Sequence, residues 1–412
     1  MAEILLLPFG SAGDVFPFIW LGRQLMARGH HVRMITACLF EDNARRAGLD
    51  FIPLGEKDEF EAMIRDPRIW QSGIGTKVVF EFAAKSVEPY LAAIESCGQV
   101  DLMLAPVTAF AGRLAREKHG IPLITVHLQP AVFVSAYETP LLHPAMRFFN
   151  KLPVWLKKRI LSLPNPVDLF ALPKVRRICA AHGVRPPRSL WREWWDSPDG
   201  VLAMFPDWFA APQPDWPANL LQWTFPLEDL AKEQVLKPEL LAFLSSGERP
   251  VVFTPGSANV QAARFFAVAA AAVQRIGCRA VFVTREPKQV PQGLPASILT
   301  VEYAPFSTLL RHAAVFVHHG GVGTMSQGFA AGVPQLIMAM AHDQPDNAAR
   351  LERLGAGLGL NVRQFTPERV ALELKRLLND AAIRQAALEC AAKVKDAPSR
   401  DVLLQWVESH LE

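Results

Sequence analysis

Three short stretches combine residue types at spacings that chemistry can use. The first is His318-His319-Gly320-Gly321-Val322-Gly323-Thr324. Glycines let the backbone approach a ligand closely, and a glycine turn that opens a helix offers unbonded N–H groups at the positive end of the helix dipole, a ready anion site. Thr324 with Gln327 three residues on reads as a capping box for that helix. Adjacent histidines on a strand point to opposite faces, so His318 and His319 make a poor chelating pair. One faces the site and the other the core. An imidazole beside a phosphate-sized anion donates a charge-assisted hydrogen bond. The bland alternative is a glycine turn with a satisfied histidine.

The second stretch is His342-Asp343-Gln344-Pro345-Asp346-Asn347. A carboxylate next to an amide suits adjacent hydroxyls, as on a sugar. Alternatively, Asp343 or Gln344 only caps the helix that Pro345 helps to open. The third is Gly10-Ser11-Ala12-Gly13-Asp14. It is not G-x-G-x-x-G, so a nicotinamide fingerprint is unsupported. Asp14 reads either as an N-cap carboxylate contributing about 0.5–2 kcal/mol or as a general base, although the dipole tends to lower its pKa. No Asp-x-Asp occurs anywhere in the sequence. Metal-bridged diphosphate binding therefore lacks its usual sign. No metal site is expected, and neutralisation falls to the helix N-terminus, backbone amides and His319.

These stretches need elements to position them. Ile4–Leu7 is a continuous apolar run, as a strand buried on both faces requires, and a helix with Phe18, Leu21, Leu25 and Met26 at helical spacing follows the glycine turn. His31–Ala37 is the next strand, so the chain opens as a βαβ unit and the sheet is parallel. Further strands are expected at Phe51–Pro53, Leu102–Ala105, Leu123–His127 and Val201–Phe205. The span 206–255 is rich in proline and reads as a seam. After it the pattern restarts with strands at Val251–Thr254, Ala280–Thr284, Ile298–Val301, Val315–His318 and Gln335–Met338. The fold class is α/β: two Rossmann-like parallel-sheet domains facing across a cleft. The span 137–196 fits neither sheet. There Met146, Phe148, Phe149, Leu152, Trp155, Leu156 and Ile160 interleave with Arg147, Lys151, Lys157, Lys158 and Arg159, broken by Pro153. It reads as a surface helix pair packed on the first sheet or, alternatively, as a lipid-facing or acceptor-binding lid.

Composition narrows the function classes. Of 412 residues, 50% are hydrophobic and 20% charged, which excludes disorder. A net charge of +3 is too balanced to argue for a nucleic-acid partner. The longest wholly apolar run, Phe265–Val273, is far short of the ~20 residues of a spanning helix. The first residues lack a basic region and a long apolar stretch, so a cytoplasmic protein is expected. The 5 cysteines are scattered and form no C-x-x-C pair, as expected of reduced, mostly buried thiols.

The run HHGGVGTMSQGFAAGVPQLIMAMAHDQPDNAARLERLGAGLGL, residues 318–360, resembles the donor-binding signature of the GT-B glycosyltransferases of family 1, the UDP-glycosyltransferase superfamily. FGSAGDVFP near the start agrees with it. With FTPGSAN and WWDSPDGVLAMFPDWFAAPQPDWP, the sequence most resembles the bacterial branch that holds the rhamnosyltransferases of rhamnolipid synthesis and the sterol glucosyltransferases. The resemblance is weakest over about 55–100 and 135–190. It implies an acceptor-binding domain at 1–225, a linker at 226–250, a nucleotide-sugar-binding domain at 251–395, and a final helix at 396–412 packing back on the first domain. It also implies that His319, the amides of Gly321 and Gly323, and the amide and hydroxyl of Thr324 hold the diphosphate, that Ser257 faces phosphate, and that Gly13 belongs to the donor site. Tyr303 would stack on the pyrimidine and the Ala304 backbone would read its edge. Tyr303 stands where the family commonly has Trp. Asp343 and Gln344 would hold sugar hydroxyls, and Asp14 takes the catalytic-base position. Gln327 replaces a common ribose-binding Glu, a hint toward a dTDP donor.

The resemblance thus implies inverting, metal-independent transfer of rhamnose or glucose from a dTDP- or UDP-linked sugar, with no cofactor. The apolar, basic segment suggests a 3-hydroxyacyl lipid as acceptor and peripheral contact with the inner membrane face. Sterol, carotenoid or polyketide hydroxyls are the alternatives. A sugar-nucleotide epimerase and a non-catalytic nucleotide-sugar or lipid-binding protein are the rivals, and oligomeric state is not readable.

Overall fold

The computed structural model describes residues 1–71, 73–143, 146–163, 165–227, 236–256 and 262–411. The protein divides into two compact units, one formed by Met1–Pro226 with Pro398–Glu412, the other by Leu227–Ala397.

In the first unit, seven strands form one parallel sheet: β1 (Glu3–Leu6), β2 (His31–Ala37), β3 (Asp50–Leu54), β4 (Leu102–Ala105), β5 (Leu123–His127), β6 (Gly200–Ala203) and β7 (Leu220–Gln222). Their order is β3-β2-β1-β4-β5-β6-β7. Ile4 pairs with Val32 on one side and Leu102 on the other, and all three are buried. That is why β1 reads as an unbroken apolar run. The second unit has β8 (Val251–Thr254), β9 (Ala280–Val283), β10 (Ile298–Val301), β11 (Val315–His318), β12 (Gln335–Ala339) and β13 (Gly357–Asn361), in the order β10-β9-β8-β11-β12-β13, again all parallel. In each sheet the order reverses once: between β1 and β4, and between β8 and β11. Loops leaving the carboxyl ends of strands at such a reversal diverge and leave room for a ligand.

Two strands escape sequence reading. β7 has three residues and lies inside the proline-rich seam, which therefore belongs in part to the first sheet. β13 reads GLGLN, a poor strand pattern, but a Cβ on Gly357 would meet the Gln335 carbonyl oxygen at 2.2 Å, so only glycine fits against β12. The stretch 226–250, expected as a linker, contributes a helix at Pro238–Ser245 whose Leu240 and Leu244 are buried in the second unit.

The basic amphipathic stretch belongs to the first unit as helices at Met146–Phe149, Val154–Leu161 and Pro166–Ala181. Pro153 does not interrupt a helix; it is the N-cap of the second. The amphipathic pattern is partly inverted. Lys157 is buried, its Nζ donating to the Tyr137 carbonyl at 3.3 Å, while Phe148 and Trp155 are 73% and 67% exposed. Among the described residues no helix is long and apolar enough to cross a membrane, and all 5 cysteines are free. The Arg400–Glu408 helix packs on the first unit. The Arg28 guanidinium donates to both Glu408 carboxylate oxygens (3.0 and 2.9 Å), and Leu403, Leu404 and Val407 are buried.

Candidate active site

In the first unit, the loop after β1 leads into the Ala12–Ala27 helix, whose N-cap is Ser11. Asp14 is thus the third residue of the helix rather than its cap. Its Oδ2 accepts hydrogen bonds from the Ser11 N–H (2.8 Å) and the Ser11 hydroxyl (2.9 Å). Gly10 makes room for this carboxylate: its φ is +129°, and a Cβ there would lie 2.4 Å from the Asp14 Oδ2. Asp14 is half-buried, and burial raises its pKa above the ordinary Asp value against the opposing pull of the Ser11 hydrogen bonds. The sequence expectation that the helix dipole lowers it is therefore corrected, because desolvation dominates. Behind the loop, the Tyr90 and Thr36 hydroxyls both donate to the Pro8 carbonyl at 2.8 Å, fixing where the turn begins. Phe9, Tyr90, Thr108 and Phe110 line a small, mostly apolar hollow where the loops after β1 and β4 diverge. Gly13, in the first turn, is exposed.

In the second unit, four loops leave the carboxyl edge of the sheet carrying the remaining expected residues. His318 ends β11 and is fully buried. Its Nδ1 accepts the Gly320 N–H (3.0 Å), so its Nε2 carries the proton and donates to the Gln335 Oε1 (2.8 Å). This fixes a neutral tautomer, and burial lowers its pKa to about 3. His319 turns the other way, its ring plane 79° from that of His318. Its imidazole lies between two glycines. A Cβ on Gly256, from the loop after β8, would meet it at 2.5 Å, and one on Gly321 would meet its Nε2 at 2.6 Å. Its Nδ1 is buried with no hydrogen-bond partner among the described residues. Burial lowers the ring's pKa to about 4, so the free protein holds it neutral at pH 7. A bond from this neutral ring to a phosphate takes its charge from the anion alone.

The helix behind this loop runs Val322–Ala331, and its N-cap is Gly321. Thr324 is its third residue, so the Thr324–Gln327 capping box does not form. Gly321 takes the cap because the backbone enters the helix three residues earlier than that box requires. The N–H groups of Val322, Gly323 and Thr324 make up the open first turn. Thr324 and Gln327 are half-buried and Gly323 is exposed.

After β12, His342 adopts φ +57°, the only non-glycine residue with positive φ among those described. Asp343 follows as N-cap of the Gln344–Arg353 helix. Asn347, one turn into that helix and fully buried, donates from its Nδ2 to the Asp343 Oδ2 (2.6 Å) and to the Gly320 carbonyl (2.8 Å). Gln344 is buried, and its Oε1 accepts the Met340 (2.8 Å) and Ala341 (3.2 Å) N–H groups, so that oxygen shapes the loop. Tyr303, after β10, is 38% exposed with the Arg285 guanidinium 5.9 Å from its ring centre, and Ala304 beside it is buried. Ser257 lies outside the described residues.

The strand order brings the loops after β8, β11 and β12 side by side, with Gly256 and His319 at the reversal and Asp343 on the neighbouring loop. Sequence reading missed Asn347 and Gln335 as parts of this site. The signal for Asn347 was its i+4 spacing from Asp343. Gln335 had none, because it starts a strand and reaches His318 only across the sheet.

Comparison with known proteins agrees with the two-sheet fold. Residues 4–137 match the glycosyltransferase family 28 N-terminal domain, and residues 273–408 match the C-terminal domain of erythromycin biosynthesis protein CIII-like proteins. The glycosyltransferase GtfE of Amycolatopsis orientalis is 30% identical over 86% of this chain and 85% of its own. The O-mycaminosyltylonolide 6-deoxyallosyltransferase of Streptomyces fradiae is 28% identical over 99% and 98%. The kitacinnamycin glycosyltransferase superposes with a TM-score of 0.76 at 20% identity, covering 100% of this chain and 99% of that one. The spinosyn rhamnosyltransferase SpnG, solved with thymidine diphosphate, gives a TM-score of 0.72 at 18% identity over 98% and 100%. Two parallel sheets, each with its site-bearing loops at one strand-order reversal, and relatives that match nearly end to end place the protein among the GT-B glycosyltransferases of the UDP-glycosyltransferase superfamily.

Proposed function

We propose that the protein is an inverting, metal-independent transferase moving a hexose or deoxyhexose from a pyrimidine nucleotide sugar to a hydroxyl of an apolar acceptor. The observation that carries the reading is the His319 imidazole. It is wedged between Gly256 and Gly321 with a buried nitrogen that has no partner among the described residues, next to an open helix N-terminus. Buried polar atoms without partners are rare, and one beside unbonded amides suits an anionic ligand. His319 with the amides of Gly321, Gly323 and Thr324 holds the diphosphate, assisted by the Thr324 hydroxyl and Ser257. Tyr303 stacks on the base and the Ala304 backbone reads its edge. Gln327 bonds the ribose, and Asp343 with Gln344 holds the sugar hydroxyls. Gly13 lends its backbone to the donor side.

In the chemical step the Asp14 carboxylate takes the acceptor's hydroxyl proton as the oxygen bonds to the anomeric carbon. The bond from that carbon to the phosphate oxygen breaks, and the nucleoside diphosphate leaves. Donors aimed at the leaving phosphate stabilise charge where it develops. The raised pKa of Asp14 suits a base better than an ordinary surface carboxylate.

For the donor base we favour dTDP, supported by Gln327 in place of Glu and by relatives of known structure with thymidine diphosphate bound. For the acceptor, the tylonolide transferase among the relatives favours a polyketide hydroxyl. A 3-hydroxyacyl lipid delivered at a membrane surface is the second reading. It rests on exposed Phe148 and Trp155 beside Lys151, Lys158 and Arg159, in a span with no acidic residue between Glu138 and Asp168. Co-sedimentation with anionic liposomes, lost on neutralising those three basic residues, supports it; no co-sedimentation removes it.

The donor reading is tested by thermal shift with UDP, dTDP, GDP, UDP-glucose and dTDP-rhamnose, with and without EDTA. A ligand at ~100 times its Kd stabilises by about 2.7 kcal/mol. A shift with one pyrimidine diphosphate, unchanged by EDTA, is expected. No shift with any nucleotide refutes the donor site, and a shift abolished by EDTA refutes metal independence.

A further inference from the structure

One amide group reaches both ends of the proposed donor site. Asn347 has two Nδ2 hydrogens, and both are used. One goes to the Asp343 Oδ2 at 2.6 Å, the other to the Gly320 carbonyl at 2.8 Å. The Asn347 side chain is fully buried, so water cannot substitute for either bond. The second contact has a geometric consequence. The Gly320–Gly321 peptide is trans, so its C=O and N–H point in opposite directions. With the Gly320 oxygen drawn to Asn347, the Gly321 N–H is turned outward from the loop, on the side away from Asn347. The preceding peptide is pinned as well, because its Gly320 N–H is held by the His318 Nδ1 at 3.0 Å. Gly320 itself sits at φ +95°, a conformation with little inherent preference for this peptide orientation over others. External hydrogen bonds therefore decide it.

We propose that Asn347 is the positioning residue that couples the diphosphate and sugar ends of the donor site, aiming the Gly321 N–H at the diphosphate while orienting the Asp343 carboxylate for the sugar. This rests on the donor reading above. Asn347 touches neither ligand group. It acts through Gly321 at one end and Asp343 at the other, so a single change there weakens both, whereas a change at Asp343 weakens only the sugar end.

The experiment is calorimetric titration of the full-length protein with dTDP, UDP and their glucose conjugates, for the wild type, Asn347→Ala and Asp343→Asn. Asn347→Ala is expected to weaken binding of the bare nucleoside diphosphate about five- to tenfold, the worth of one well-placed hydrogen bond to an anion, and the glucose conjugate further still. Asp343→Asn, which keeps the shape and an oxygen for Asn347, should leave bare-diphosphate affinity within about twofold and weaken only the conjugate. A merely structural role would lower the bound stoichiometry without moving Kd. Bare-diphosphate affinity unchanged in Asn347→Ala overturns the proposal. Absence of nucleotide binding by the wild type overturns the donor reading and this proposal with it. If Asn347→Ala fails to fold, Asn347→Asp, of equal size but lacking both donors when ionised, is read the same way. If neither folds, the wild type's Asn347 side-chain amide resonances decide: displacement by bare dTDP or UDP is expected, and their insensitivity to both overturns the proposal.

Discussion

Replacing Asp14 by Asn separates its two roles, because the substitution keeps the shape and removes only the ability to hold a proton. The capping contacts survive largely intact. An amide oxygen at the Oδ2 position can still accept the Ser11 N–H and hydroxyl, now at 2.8 and 2.9 Å. Their weakening costs about 1 kcal/mol or less. A compensating gain opposes it. Burial raises the folded pKa of Asp14, so ionisation costs stability as pH rises through that value, and the neutral amide escapes this cost at pH 7. The melting temperature should therefore move by only a few degrees. Turnover should fall by about 10²–10⁴, the range for losing a general base, or roughly 3–5 kcal/mol of barrier. Initial rates of nucleotide release with a phenolic acceptor, alongside donor Kd by calorimetry, measure both quantities. In the wild type the rate should fall as pH drops through the raised pKa, since the base must be ionised. That acid limb should be missing from the residual activity of Asp14→Asn. Turnover within threefold of wild type, or a loss of donor affinity equal to the loss of rate, refutes the base assignment and leaves Asp14 a capping residue.

Four further outcomes follow from the geometry. His318 titrates at about 3 when folded, so below about pH 6.5 only the unfolded chain takes up its proton. Stability should then fall by up to about 1.4 kcal/mol per pH unit, and urea melts at pH 7, 6 and 5 should show a shallower decline in His318→Gln. Since burial lowers the His319 pKa to about 4, affinity for a nucleotide sugar, whose diphosphate has no group titrating near neutrality, should show no step near pH 6.5. A step there that disappears in His319→Gln contradicts the neutral-donor role. Gly256→Ala drives a Cβ to 2.5 Å from the His319 ring at a backbone φ of +90°, so it should abolish the nucleotide thermal shift while the far-UV spectrum stays native. Leu403→Ala, at a fully buried position of the last helix, should cost about 2–5 kcal/mol in urea unfolding yet leave nucleotide affinity unchanged.

Much of this architecture was legible because its signals are local. β2, β4, β5, β8, β10 and β11 have the bounds the sequence suggests, and β4, β5, β8 and β11 are buried at every residue, with no alternation of exposure to blur the run. The glycine turns at Gly10 and Gly320–Gly321 were legible for the same reason. Cap positions were harder. Ser11 and Gly321 are the caps, so Asp14 and Thr324 each sit at the third helical residue where the sequence suggested the cap. What escaped reading was relational. Gln335 meets His318 across 17 residues and Asn347 meets Gly320 across 27, and no spacing rule links such pairs. The inward turn of Lys157 likewise depends on a carbonyl 20 residues away, at Tyr137.

The division into two units orders the protein's biogenesis. The second unit is continuous, Leu227–Ala397, whereas the first is completed by residues made after it. During synthesis the sheet from β1 to β7 emerges early but waits for the Arg400–Glu408 helix, which buries Leu403, Leu404 and Val407 and gives Arg28 its carboxylate. Throughout that interval the nascent first unit presents an apolar face with no cover, while the second unit can already close. A chaperone meeting this polypeptide on the ribosome would find its hydrophobic target on the part translated first, and a frameshift late in the message would damage the earliest-made domain.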